Sequence, residues 1–94
     1  MYQLKTQVKG MGTVEINQTY GELMMLALLS NSPHEAETEK YRCYSLAQRT
    51  EDKETADFDK EEVEFITRKA QRILPPLHFG RLKDFLDAGL KKDA

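Results

Sequence analysis

Polar and apolar residues alternate through the first sixteen positions, and then the period changes. Tyr2, Leu4 and Val8 are interleaved with Gln3, Lys5 and Gln7, the two-residue repeat of a half-buried strand. Lys9-Gly10-Met11-Gly12 follows, placing glycines where a tight turn asks for positive φ. Alternation resumes at Thr13, with Val14 and Ile16 on one side and Glu15 on the other. The pattern predicts a β-hairpin over about 2–16. Two strands alone are marginal in water, so this hairpin must lean on other elements.

From Thr19 the pattern is helical, and three helix starts are written into the chain. Thr19-Tyr20-Gly21-Glu22 pairs a hydroxyl with a carboxylate three residues later, so that each satisfies a backbone N–H left over in the first turn. Ser32-Pro33-His34-Glu35 repeats the device and adds proline at the first helical position, where its missing N–H costs nothing. Asp59-Lys60-Glu61-Glu62 repeats it again, with Phe58 and Val63 at the positions of a hydrophobic staple.

The first helix, over about 19–30, is apolar almost all round and is expected at the centre. The second, over about 33–49, buries Ala36, Tyr44 and Ala47 with Cys43 and Leu46, and turns Glu35, Glu39 and Arg42 to water. Residues 51–57 are polar and acidic and read as a loop. The third helix, over about 60–74, aligns Val63, Ile66, Ala70, Ile73 and Leu74. Pro75-Pro76 ends it, because proline disfavours helix in its predecessor. The fourth, over about 77–89, offers Leu82, Phe85 and Leu86, with Gly89 as a C-cap. The expected fold is α+β: an N-terminal β-hairpin packed on a bundle of about four short helices. It forms one domain over 1–90, with 91–94 as a frayed tail.

Composition narrows the class further. Ninety-four residues, 39% of them hydrophobic, suffice for one thin core. The longest apolar run, Leu23 to Leu29, is far short of the roughly 20 residues of a membrane span. No basic-then-apolar leader opens the chain, so no secretory signal is expected. The single cysteine, Cys43, excludes an internal disulfide and suits a reducing compartment. The net charge of −2 hides an asymmetry: residues 1–62 carry 12 acids and 7 bases, and residues 63–94 carry 4 acids and 7 bases.

Candidate chemistry is sparse. Cys43 with His34 and His78 is the one nucleophile–base combination, but Cys43 lies mid-helix on the inner edge, where cysteine packs as a small apolar group. Asp57-Phe58-Asp59-Lys60-Glu61 opens like a calcium loop and then fails. Glu62 stands where glycine is required, and Arg68 where the bidentate glutamate belongs. One cysteine and two scattered histidines make no zinc site. Gly10-Met11-Gly12 lacks the helix start and lysine of a phosphate loop. No catalytic residue, metal or cofactor is expected, and the chain does not read as an enzyme.

Two surfaces remain. Arg68, Lys69, Arg72, Arg81 and Lys83 form a basic face on the last two helices, a candidate contact for nucleic acid or protein. Asp84 and Asp87 oppose phosphate there, and the proline pair replaces the usual glycine-bearing turn. Tyr41 is the tyrosine expected near an edge and open to a partner. Acidic residues 51–62 read as a solvated loop and helix start, where the dipole favours their charge.

Several stretches resemble small accessory proteins of tailed bacteriophages and prophages. They are Thr19-Tyr20-Gly21-Glu22-Leu23-Met24-Met25-Leu26-Ala27-Leu28-Leu29, then Lys40-Tyr41-Arg42-Cys43-Tyr44-Ser45-Leu46-Ala47-Gln48. The terminal pair of helices around Pro75-Pro76 is similar too, so the likeness spans about 13–87. The resemblance implies a cofactor-free protein of the bacterial host cytoplasm, of unassigned role, with no catalytic residues to carry over. The expected function is therefore protein–protein contact with a host or phage component, as a monomer or small homo-oligomer. A small nucleic-acid-binding regulator using the basic face is the runner-up.

Overall fold

Local signals set most of the element boundaries. The computed structural model describes residues 1–30 and 35–92. In chain order the elements are β1 (Tyr2–Gln3), α1 (Tyr20–Leu29), α2 (Glu37–Thr50), β2 (Thr55–Ala56), α3 (Lys60–Ile73) and α4 (Pro76–Lys92). The fold is α+β, with four helices and a two-stranded antiparallel sheet among the described residues.

The N-terminal hairpin is present but irregular. Met11 and Val14 exchange backbone hydrogen bonds at 2.9 Å across Gly12-Thr13, and Gly12 takes φ +59° as such a turn requires. Gly10 has no room for a side chain, since a Cβ there would stand 2.0 Å from the Val14 carbonyl oxygen. The limbs then drift apart into isolated contacts: Val8 donates to Gln18 at 3.0 Å, and Gln7 bridges Thr19. The regular ladder lies elsewhere. Tyr2 pairs with Ala56 and Gln3 with Thr55, so part of the expected acidic loop is strand β2.

Helix α1 is the central element, packing against α2, α3 and α4. The capping box at Thr19 forms as read, Thr19 Oγ1 accepting from the Glu22 N–H at 3.2 Å and Glu22 Oε1 from the Thr19 N–H at 3.0 Å. Leu23, Met24, Ala27 and Leu28 are buried, while Leu26 and Leu29 are exposed. The Asp59–Glu62 box at the start of α3 is equally complete, with Phe58 and Val63 buried on either side.

Three expectations are corrected. Helix α2 begins at Glu37 with Ala36 as a cap that makes no side-chain bond; Ser32, Pro33 and His34 lie outside the described residues. Its inner stripe is Cys43, Leu46, Ala47 and Thr50, leaving Ala36 and Tyr44 exposed. Helix α4 starts on Pro76 and runs past Gly89 to Lys92. Gly89 is thus no cap: it is the notch that admits the Tyr2 ring, whose Cε1 would stand 2.1 Å from a Cβ there. Tyr2 is the pin of this end of the molecule. Its hydroxyl donates to the Leu86 carbonyl at 2.6 Å, and its ring tilts against Phe58 and Phe85. Phe85 also stacks on Tyr20, 4.0 Å between centroids.

Candidate functional site

The densest chemistry lies in the seam between α2 and α3. Lys69 shares the inner side of α3 with Phe65 and Ile66, so its stem enters the core and its ammonium needs a partner. Glu35, just before α2, supplies one: Lys69 Nζ donates to Glu35 Oε1 at 2.9 Å and to Oε2 at 2.8 Å. The two side chains are 3% and 4% exposed. Cys43 Sγ, on α2, donates to Glu35 Oε1 at 3.5 Å.

That setting holds the thiol protonated. Burial, reinforced by the Glu35 charge, pushes Cys43 up to about 11 from an ordinary 9.0, outweighing the pull of Lys69. A nucleophilic cysteine needs the opposite environment. The lysine is tied to both carboxylate oxygens. His34 lies outside the described residues. His78 sits on α4, its Nδ1 buried without a hydrogen bond among the described residues.

Above the ion pair the seam is cationic. Arg42 lies over the Phe65 ring at 4.6 Å from its centroid, and Arg68 flanks the same ring at 5.9 Å. Arg72 follows one helical turn after Arg68. Glu35, Glu39, Phe65, Arg68, Lys69 and Arg72 line a hollow of about 20 Å³, enough for about one water. On the outer side of α2, Tyr41 and Tyr44 are 69% and 51% exposed, their rings 6.1 Å apart.

The basic face read from the sequence is therefore not one surface. Arg68 and Arg72 are exposed on α3, whereas Lys69 is buried on Glu35. Arg81 donates from Nε to the Lys9 carbonyl at 3.1 Å and from Nη2 to the Gly10 carbonyl at 3.0 Å, strapping the hairpin to α4. Lys83 pairs with Asp87 at 2.6 Å. Arg68 and Lys83 do line one groove between α3 and α4, but Glu64 and Asp87 share it. Tyr41 stands in the open, as expected.

Glu35, Arg42, Tyr44 and Phe65 were missed as parts of this site. A signal for the buried lysine was available: position 69 falls on the helical stripe of Phe65, Ile66 and Ile73. Among the described residues no three His, Cys, Asp or Glu side chains converge as metal ligands would, and no helix is long and apolar enough to cross a membrane. Comparison with protein-family models, with curated proteins and with solved structures finds no match.

Proposed function

We propose that this chain is a non-enzymatic accessory protein of the phage or prophage kind, acting by protein–protein contact in the bacterial cytoplasm. Its contact face is the outer side of α2 with the neighbouring α2–α3 seam. The observation that carries this reading is the pair Tyr41 and Tyr44, large rings left mostly in solvent on a packed helix. Tyrosine brings much contact area for little lost side-chain freedom, which is why it is enriched where proteins meet. The protonated thiol and the tied lysine support a non-catalytic reading, because the groups best suited to nucleophilic work are held in their unreactive forms or in an ion pair.

Affinity capture from a bacterial lysate tests it, with wild type compared to Tyr41→Ser/Tyr44→Ser. The expected result is a reproducible binding protein retained by wild type and lost by the variant, with unchanged far-ultraviolet circular dichroism. Identical capture by both proteins contradicts the assignment of the face. The runner-up, a nucleic-acid-binding regulator, retains Arg68 and Arg72 as exposed cations. It predicts DNA binding that weakens steeply with added salt.

A further inference from the structure

The partner segment that fits this face is acidic. We infer that Arg42, Arg68 and Arg72 receive the carboxylates of an Asp/Glu-rich peptide segment of the partner. The inference rests on the contact reading above and names the chemistry of the partner. Two of the chain's arginines have bonded partners: Arg49 reaches Glu62 and the Asp57 carbonyl, and Arg81 holds Lys9 and Gly10. Arg42, Arg68 and Arg72 make no hydrogen bond or ion pair among the described residues, and all three lie at the α2–α3 seam.

Charge and geometry favour a carboxylate ligand. Lys69 and Glu35 cancel each other beneath the surface, so Glu39 is the acid left in the hollow against the guanidiniums of Arg68 and Arg72. Phe65 braces Arg42 and Arg68 from the side, reducing the side-chain freedom lost on binding. A guanidinium presents parallel N–H donors that match a carboxylate fork. Arg68 and Arg72 stand one turn apart, a rise of about 6 Å. Alternate side chains of an extended peptide repeat at about 6.6 Å, so acids two residues apart reach both arginines.

The test uses side-chain NMR on the intact protein. The probes are a synthetic peptide with Glu at every second position, its Gln counterpart, and a single-stranded oligonucleotide of equal charge. The expected result is movement of the Arg42, Arg68 and Arg72 Nε–H signals with the Glu peptide and none with the Gln peptide. Arg68→Gln/Arg72→Gln, at exposed positions, is expected to weaken Glu-peptide binding about tenfold. No movement with the Glu peptide, equal movement with the Gln peptide, or tighter binding of the oligonucleotide overturns the inference. Lysate capture lost with Tyr41→Ser/Tyr44→Ser while the Glu peptide fails leaves the contact reading standing and removes the acidic partner. Glu-peptide binding with lysate capture insensitive to the tyrosines does the reverse.

Discussion

Replacing Glu35 by Gln keeps the size of the side chain and removes the charge that the Lys69 ammonium faces. Both side chains are almost wholly inside, at 4% and 3% exposure, and Lys69 Nζ bonds both carboxylate oxygens at 2.8–2.9 Å. Breaking one partner of such a pair costs about 3–5 kcal/mol, because a buried charge loses its counter-charge. Whole domains are held by roughly 5–15 kcal/mol, so the loss is a large share. With a urea dependence of about 1–3 kcal/mol per M, the unfolding midpoint falls by at least about 1 M. The thermal midpoint falls by at least about 12 °C at about 4 °C per kcal/mol. The second arm is Glu35→Gln with Lys69→Met, which removes both charges and is expected to recover most of the loss. A Glu35→Gln stability within about 0.5 kcal/mol of wild type refutes the reasoning, as this is what an ordinary surface substitution does. So does a double variant whose loss equals the sum of the single ones, since contacting groups must couple.

Other outcomes follow from the same geometry. Gly89→Ala should gain up to about 1 kcal/mol from helix propensity. The Cβ would instead meet the pinned Tyr2 ring at 2.1 Å, so a net loss of about 1–3 kcal/mol is expected in urea unfolding. Thr19→Ala removes the acceptor for the Glu22 N–H and should cost about 1 kcal/mol in the same assay. The raised Cys43 thiol implies a pH dependence of stability. Its folded-state value, about 11, lies above the ordinary 9.0, so the contribution is complete below pH 9 and is lost as pH climbs towards 11. Urea midpoints for wild type should fall across that window more than those of Cys43→Ala.

What the sequence made legible was local. The capping boxes at Thr19 and Asp59 involve residues three apart, and both formed. The turn at Gly12 and the break at Pro75 are likewise decided by one residue's backbone preference. Long-range pairing was hidden, and β1 meets β2 across more than fifty residues with nothing in Thr55-Ala56 to announce it. Glu35 shows how a local rule misleads. Charge reads Glu35 as a water-facing residue of α2, yet that helix starts at Glu37 and packing buries Glu35 against Lys69. Tyr44 was read inward on one stripe with Ala36 and Ala47, but the buried stripe is Cys43, Leu46, Ala47 and Thr50, and Tyr44 lies about 100° round the helix from Cys43. That rotation puts it outside. Lys69 was assigned to the surface by charge alone, although its stripe is apolar.

The thiolate fraction of Cys43 bears on the whole interpretation, because it asks whether the chain's reactive groups are held quiet by packing. The rate of alkylation by iodoacetamide against pH, in folded and urea-unfolded protein, measures it. A shift from 9.0 to about 11 predicts about 100-fold less thiolate in the folded state at neutral pH, with correspondingly slow labelling. Folded protein that labels faster than unfolded at pH 7 would mean an activated cysteine and a catalytic role for the α2–α3 seam.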